Sequence, residues 1–365
     1  MTNTNDALTE VANAFDRDPD PLQQFEGTFE GLDVDPFKEY RKRVLIPNDA
    51  SKSTRDNYEY TFDHWREFMQ STERHPACPN DTHVKDFMTF LAREHGNGSS
   101  SILKKVNNLK RTYEWWQEHH AFPHPSDYNP FKIAKRETNL STDTDEKKHP
   151  PLTRQEVSTV VRGCKNIRER FFIVWPLKLG LRAGELLNLR LEEIALSHAE
   201  IEELYPEMGT ADPIKEYDDA VYIPSRYRRE GNKSHNPRIL PLDDELKRVL
   251  LQFLATRPTV DSSWLILSQR TFGRIERSDR VNQVWRDHFS EYNEMEQYRD
   301  ITSHFGRYYF TNYWKVRESI PRELVQYMRG DKLGDSTNSE SIDDYLTAHY
   351  KDIEDVYFDR VFKVL

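Results

Sequence analysis

The sequence predicts a mainly α-helical protein with one small β-sheet, divided into two domains. The chain has 365 residues, which is more than one compact core usually holds. Apolar residues recur at helical spacing over most of its length. Between about residues 220 and 242 the pattern changes to two short β-like runs, AVYIP and PRILPL, around a polar segment that contains Gly231. These three observations define the α+β class.

Residues 1–35 form a strongly acidic segment, which we predict to be a disordered tail. They contain nine acidic residues and one base, Arg17, so their net charge is −8. Subtracting this from the total of −10 leaves about −2 for the rest of the chain. Acidity counts against a nucleic-acid partner, because phosphate contacts need basic side chains. A local basic groove within a solvated acidic surface, as in proteins adapted to high salt, remains compatible with this composition.

Residues 36–135 are predicted to form a small helical domain. Apolar side chains recur at helical spacing in three segments that begin near Ser53, Asp81 and Ser100. The third helix also carries a basic face, formed by Lys104, Lys105, Lys110 and Arg111. That face is either an ordinary solvated surface or a surface laid against a phosphate backbone.

The polar stretch RETNLSTDTDEKKHPP, residues 136–151, is predicted to be an interdomain linker. It lacks apolar periodicity and ends in two prolines. Residues 152–365 resume helical periodicity and are predicted to form a second domain that contains the small sheet.

Composition excludes several classes of protein and site. Cys78 and Cys164 are far apart and are the only cysteines, so we expect a reducing, cytoplasmic setting rather than a disulfide scaffold. No apolar run approaches membrane-spanning length, and the start of the chain lacks a secretion pattern. His75, Cys78 and His83 do not have a standard zinc spacing, and no glycine-rich nucleotide motif occurs. We therefore expect no metal, no cofactor and no membrane partner.

The segment LKLGLRAGELLNLRLEEI, residues 177–194, places Arg182 within an almost wholly apolar stretch. A guanidinium in such surroundings usually pairs with an acid or binds an anion. Glu185 lies three residues on and can hold Arg182 on the same helix face. The two interpretations are a structural Arg182–Glu185 pair and an anion-binding arginine.

The segment SHFGRYYFTNYW, residues 303–314, places His304 and Arg307 at positions i and i+3 of a predicted helix. An imidazole and a guanidinium on one face can bind a phosphate and also handle a proton. The alternative is a capping histidine and a surface arginine.

Together, LGLRAGELLNL and HFGR resemble the first and second conserved boxes of the tyrosine recombinase or phage integrase family. The family carries an active-site lysine in a β-hairpin between these boxes, and GNKSHNPRILPL resembles that hairpin. Counting back from Arg238 to Pro241 puts the lysine at Lys233, whereas alignment from the first strand points to Arg229. The nucleophilic tyrosine follows the second box, which implies Tyr345 in SIDDYLTAHY, with Tyr350 as the alternative.

The resemblance implies a helical SAM-like core-binding domain over 36–135 and a DNA breaking–rejoining catalytic domain over 152–365. The helix after the tyrosine would then serve assembly, with an apolar stripe formed by Ile353, Val356, Tyr357, Val361 and Phe362. That stripe packs either on its own domain or on a neighbouring protomer. One departure concerns Asp331 after Gly330, where the family has His or Trp as a donor. An ionised Asp cannot donate, so Lys332 substitutes or the donor is absent.

The activity implied by the resemblance is site-specific recombination through a 3′-phosphotyrosyl intermediate, without metal or ATP. The catalytic residues would be Arg182, Lys233, His304, Arg307 and Tyr345. The implied partners are double-stranded DNA with specific sites and a homo-tetramer on two duplexes. Alternatives are a DNA-binding regulator of the same fold that no longer cleaves DNA and a type IB-like topoisomerase.

Overall fold

The computed structural model describes residues 10–138, 147–293, 295, 297–332 and 349–365. The chain divides into two compact units, Met1–Glu146 (unit 1) and Lys147–Leu365 (unit 2). Helices dominate both units and unit 2 contains a three-stranded sheet, which confirms the predicted fold class. Within these residues, no helix combines the length and the apolar character needed to cross a membrane.

Unit 1 is a bundle of helices around an aromatic core. Ser51 and Asn80 cap two of its helices by accepting hydrogen bonds from the backbone N–H groups of the first turn. Trp65 and Trp116 are buried where the long helices meet. The helices are α1 (Glu26–Glu30), α2 (Pro36–Tyr40, continued by a π-helical turn over Arg41–Leu45), α3 (Lys52–Ser71), α4 (Asp81–Arg93), α5 (Ser99–Glu118) and α6 (Pro130–Glu137).

The prediction of a disordered tail over 1–35 is wrong for part of that segment. Leu22 and Phe29 are buried in the core of unit 1. The carboxylate of Asp20 accepts hydrogen bonds from Arg74 at 2.9 Å and from Asn80 at 3.0 Å. The composition is misleading because it does not show that Leu22 and Phe29 pack in the core. It also does not show that Asp20, one of the acidic residues, is paired with Arg74 and Asn80. Residues 1–9 lie outside the described residues.

Helices and a small sheet of unit 2 surround a large apolar core, and a smaller apolar cluster lies against the sheet. Its helices are α7 (Arg154–Gly163), α8 (Ile167–Leu179), α9 (Ala183–Leu187), α10 (Ala199–Leu204), α11 (Asp244–Ala255), α12 (Asp279–His288), α13 (Ser290–Asn293), α14 (Ser303–Asn312, continued by a π-helical turn over Tyr313–Arg317), α15 (Arg322–Arg329) and α16 (Tyr350–Arg360). Its strands are β1 (Ile194–Ala195), β2 (Ala220–Ile223) and β3 (Arg238–Pro241).

The sheet is antiparallel with the strand order β1-β2-β3. Ala220 pairs with Pro241 and Ile223 pairs with Arg238, so β2 and β3 form the hairpin that the sequence predicts. The polar connection between these strands contains Lys233. The hairpin therefore carries that lysine at the end of the sheet.

Helix α8 is the centre of unit 2 and fixes the place of α14. Every residue from Phe171 to Leu179 is buried, so neighbours must cover α8 on all sides. Gly306 lets α14 approach closely, because a Cβ at that position would lie 2.8 Å from the ring of Trp285. This packing brings Arg307 of α14 to the carboxyl end of α8.

The segment after Tyr350 packs on its own unit. Ile353, Tyr357 and Phe362 are buried in the unit 2 core, and the Tyr357 hydroxyl donates to the carbonyl of Lys178 at 3.0 Å. Of the two alternatives for the apolar stripe, its own domain or a neighbouring protomer, the structure shows the first, because the core of unit 2 offers the stripe an apolar surface.

Each unit contains one buried cysteine, Cys78 in unit 1 and Cys164 in unit 2. Burial raises the pKa of the Cys78 thiol to about 12 and that of the Cys164 thiol to about 11. Both thiols are therefore protonated and shielded in the folded protein.

Candidate active site

Arg182 lies in the turn between α8 and α9. Gly180 ends α8 at a φ of 63°, a left-handed conformation that glycine adopts without strain. The backbone N–H of Arg182 donates to Oε2 of Glu185 at 2.9 Å, and its Nη1 lies 3.2 Å from Oε1. The Arg182–Glu185 pair is present, and it fixes one edge of a guanidinium whose side chain is still 30% exposed.

Glu185 is fully buried and binds a second guanidinium, from strand β3. Nη2 of Arg238 lies 2.9 Å from Oε2 of Glu185, and Nε of Arg238 donates to the carbonyl of Met328 at 2.7 Å. Burial by itself would raise the pKa of Glu185, but the guanidiniums of Arg238, Arg307 and Arg182 outweigh burial and lower it to about 2. Glu185 is therefore ionised at neutral pH and ties the hairpin to α9.

Arg307 is buried on α14, with 4% of its side chain exposed. Its Nη1 donates to the carbonyl of Gly180 at 2.7 Å, and its Nη2 donates to the carbonyl of Arg329 at 3.1 Å. Nη2 also lies 2.6 Å from Oδ1 of Asp331. Burial and the charge of Arg182 lower the pKa of Arg307 to about 9, so the group remains a cation at neutral pH.

The carboxylate of Asp331 lies among three guanidiniums. Its Oδ1 is 2.6 Å from Nη2 of Arg307 and 3.3 Å from Nη2 of Arg182. Its Oδ2 is 2.8 Å from Nε of Arg329. The two arginines selected from the sequence therefore converge on a single anionic oxygen, and a third arginine stands beside it.

The hairpin between β2 and β3 packs against the turn that carries Asp331. The N–H of His235 donates to the carbonyl of Gly330 at 2.9 Å, and Nδ2 of Asn236 donates to the carbonyl of Asp331 at 3.1 Å. Gly330 has a φ of 64°, and a Cβ there would lie 2.8 Å from the carbonyl oxygen of Asn236. Only glycine fits this close approach without displacement.

Lys233 and Arg229 differ sharply in their surroundings. Lys233 is exposed in the hairpin connection, two residues before His235, and has no hydrogen bond or ion pair with the part of the chain that the structure describes. The guanidinium of Arg229 is instead held by two neighbours: its Nη2 lies 2.6 Å from Oε1 of Glu193, and its Nη1 donates to the carbonyl of Asn188 at 2.6 Å. Of the two predicted candidates, Lys233 is the cation available to a ligand.

His304 precedes Arg307 by one turn of α14 and stacks on His149, with ring centroids 5.7 Å apart. Partial burial and the charges of Arg299 and Arg307 lower the pKa of His304. The imidazole is therefore neutral at neutral pH and can accept a proton.

The two candidate nucleophiles stand differently. Tyr345 lies outside the described residues. Tyr350 is buried against the sheet, and its ring centroid is 4.6 Å from that of Tyr217. Burial, with the nearby carboxylate of Glu354, raises the pKa of Tyr350. Its hydroxyl is therefore poorly placed to attack a substrate in this conformation.

Unit 1 contains a polar groove along the helix with the predicted basic face. The groove has a volume of about 650 Å³ and lies beside α3, α5 and α6. Its cations are Lys104 and Arg111 from the predicted basic face and Lys135 from α6. Its neutral polar lining includes Asn57, Asn107, Thr54 and Ser100. By contrast, Lys105 contacts His64 at 2.8 Å and Lys110 lies 3.4 Å from Glu114. The basic face is thus divided between the groove and local pairs.

One group of metal-ligand side chains occurs among the described residues, away from these arginines. Cys164, Glu169 and His288 bring their potential ligand atoms within 4.8 Å of one another. Nε2 of His288 lies 2.9 Å from Oε2 of Glu169, whose other oxygen is 2.8 Å from Arg280. The contacts among Glu169, His288 and Arg280 account for the proximity of these side chains.

Comparison with solved structures gives the fold of most of the chain. A lambda integrase dimer bound to a COC′ core site has a TM-score of 0.57 and 13% identity, over 85% of this chain and 75% of that one. The Tn1549 transposon integrase in complex with transposon right-end DNA has a TM-score of 0.57 and 16% identity, over 88% and 99%. The chain has the tyrosine recombinase fold.

A lambda integrase tetramer bound to a Holliday junction also shares the tyrosine recombinase fold, with a TM-score of 0.56 and 13% identity, over 84% of this chain and 79% of that one. No family model matches the sequence. No curated protein matches it either.

Sequence reasoning missed Arg238 and Arg329 as members of the cluster. Arg238 had a detectable signal, because an arginine in a strand that is otherwise apolar needs a buried acid as its partner. Arg329 had none, since it occupies the last turn of a helix, where basic residues are common. The position of Asp331 between the arginines depends on the left-handed turn at Gly330 and could not be read from the sequence.

Proposed function

We propose that the protein is a site-specific DNA recombinase that cleaves and rejoins DNA through a 3′-phosphotyrosyl intermediate. The observation that carries the proposal is the convergence of Arg182 and Arg307 on one oxygen of Asp331, at 3.3 and 2.6 Å. Two guanidiniums that share an anionic oxygen have the geometry to bind the non-bridging oxygens of a phosphodiester.

In the proposed reaction, the hydroxyl oxygen of Tyr345 attacks phosphorus and forms a new P–O bond while the bond to the 5′-oxygen breaks. Neutral His304 accepts the tyrosine proton, and Lys233 donates a proton to the leaving 5′-oxygen. Arg182 and Arg307 offset the charge that develops on the phosphate in the transition state. Rejoining reverses these steps, so the phosphate bond is conserved and no nucleotide is consumed.

The proposed substrate is double-stranded DNA, and the polar groove of unit 1 supplies a second contact to it. Lys104, Arg111 and Lys135 offer cations to the phosphate backbone, while asparagines beside them offer donors and acceptors. We further propose a tetramer on two duplexes, since the reaction joins two sites. We also propose that the protein is located in the cytoplasm, with the chromosome.

A nicked suicide duplex drawn from DNA that flanks the gene tests the proposal. Wild-type protein should become covalently attached to the duplex, and Arg182→Ala should lose at least about 3 kcal/mol of transition-state stabilisation while its fold and DNA affinity change little. Binding without any covalent product would instead favour the non-cleaving regulator. Relaxation of supercoiled DNA without joining of two sites would favour a topoisomerase.

A further inference from the structure

The Asp331 site carries more positive charge than Arg182 and Arg307 alone supply. Arg329 is half-buried, and its Nη1 donates to Oγ1 of Thr311 at 3.1 Å. Its Nε lies 2.8 Å from Oδ2 of Asp331, but this N–H is not aligned as a hydrogen-bond donor and is buried with no hydrogen-bond partner among the described residues. Arg329 therefore places an unsatisfied donor directly beside the carboxylate.

The carboxylate itself resembles a bound anion. Two oxygens of Asp331 meet three guanidiniums, an arrangement that a phosphate with two non-bridging oxygens would reproduce. The carboxylate is also 24% exposed, so solvent and a dissolved anion can reach it. A single anion fits between Arg182, Arg307 and Arg329, and Asp331 holds that position in this structure.

We propose that Arg329 is a third phosphate-binding side chain, and that the carboxylate of Asp331 is an internal counter-ion which the scissile phosphate of DNA must displace. This inference rests on the proposed function for its substrate. It also explains the Asp at this position: when Asp331 turns away, Arg329 supplies the donor that a carboxylate cannot supply. Before DNA binds, the same carboxylate keeps three like charges together.

Binding of inorganic phosphate to the full-length chain tests this inference without any need for cleavage. Affinity is measured by calorimetry at constant ionic strength, with circular dichroism to verify the fold of each variant. Asp331→Asn removes the competing charge and should bind phosphate about tenfold more tightly than wild type, a change of about 1.4 kcal/mol. Arg329→Met in the Asp331→Asn background should reverse that gain.

The matched control is Arg248→Met, which removes one exposed arginine from α11 in the same unit and should leave phosphate affinity unchanged. Equal or weaker phosphate binding by Asp331→Asn would overturn the inference, because Asp331 would then orient the arginines rather than compete with the anion. If Arg329→Met does not fold, Arg329→Lys keeps the charge but removes Nε. Full phosphate affinity in Asp331→Asn/Arg329→Lys would likewise exclude a role for that donor.

The suicide-duplex assay then separates this inference from the proposed function. If wild type cleaves, Arg329→Met should slow covalent attachment about a hundredfold while duplex affinity remains within about threefold. An unchanged cleavage rate would refute the phosphate-binding role of Arg329. If wild type does not cleave, the proposed function fails, whereas the phosphate titration still decides whether Arg329 and Asp331 compete for one anion.

Discussion

Glu185 and Arg238 form an ion pair in which both side chains are completely excluded from solvent, with Nη2 and Oε2 2.9 Å apart. The pair joins α9, which follows Arg182, to the hairpin that carries Lys233. The pair therefore connects the two elements that position Arg182 and Lys233, two proposed catalytic cations that are 51 residues apart in the chain.

Arg238→Met should lower the free energy of unfolding by about 3–5 kcal/mol, because it leaves Glu185 buried with less compensation. Urea denaturation followed by tryptophan fluorescence measures this change. Arg248→Met, which removes an exposed arginine, should change stability by less than about 0.5 kcal/mol. A loss as small for Arg238→Met as for Arg248→Met would contradict the proposed importance of the buried pair.

Tyr345→Phe should abolish covalent attachment to the suicide duplex while leaving DNA binding intact, since only one hydroxyl is removed. Tyr350→Phe is the matched control and should retain attachment, because the Tyr350 ring is buried against the sheet. Denaturing gel electrophoresis of the labelled duplex reads both results. Attachment by Tyr345→Phe together with its loss in Tyr350→Phe would move the nucleophile to Tyr350.

Cleavage should persist in EDTA and without nucleotide, because the guanidiniums at the Asp331 site supply the positive charge near the phosphate. Cys164→Ser should behave like wild type in this assay, since its cluster lies at the other end of α8 from Arg182. A strict Mg²⁺ requirement for the cleavage step would refute the metal-free mechanism.

The stack of His149 on His304 should make stability depend on pH. Burial, then the charges of Arg299 and His304, lower the pKa of His149 to about 4, and both of its ring nitrogens lack hydrogen-bond partners among the described residues. Since the folded pKa lies below the usual value of about 6.5, the unfolded chain binds more protons between these limits. The free energy of unfolding should therefore fall as the pH falls from about 6.5 to about 4.

His149→Phe should flatten that dependence, because it removes the titrating ring and keeps an aromatic in the stack. Urea midpoints at a series of pH values provide the measurement. His235→Phe removes a histidine from the same unit but not from this stack, and should retain the wild-type slope. A His149→Phe profile as steep as that of wild type would show that other groups cause the acid sensitivity.

Deletion of residues 361–365 should destabilise unit 2 rather than only impair assembly. The backbone N–H groups of Val364 and Leu365 donate to Glu245, whose Oε2 also lies 2.7 Å from buried Lys178. Together with the loss of Phe362, we expect a cost of at least about 4 kcal/mol and poor solubility. Arg360→Met is the control, because it removes an exposed cation of α16 that has no ion pair with the described residues. A stable, soluble truncation that fails only in synapsis would restore the assembly role.

The sequence contained enough information for the local features of the site. Spacing indicated that Glu185 can hold Arg182 and that His304 and Arg307 share a helix, and both relations span three residues. The β-hairpin was predicted because alternating apolar runs flank a polar turn. Interactions within one helical turn or one hairpin are fixed by local geometry.

The features that sequence reasoning missed join distant segments. Arg238 meets Glu185 across 53 positions, and Asp331 meets Arg182 across 149. Such pairs depend on how α9, β3 and α15 pack around α8, which periodicity does not specify. Leu22 and Phe29 were missed for a related reason, because a composition average hides two anchoring side chains within an acidic segment.

Because each unit contains one shielded thiol, the rate of thiol labelling reports how often that unit opens. Cys78 and Cys164 react with a disulfide reagent only after their own unit exposes them, because burial keeps both sulfurs protonated and covered. In native-state labelling, the rate of modification at Cys78 therefore reports the opening of unit 1. The rate of modification at Cys164 reports the opening of unit 2. The chain can thus reveal, without any engineered probe, whether binding of a duplex slows the opening of one unit, of the other, or of both.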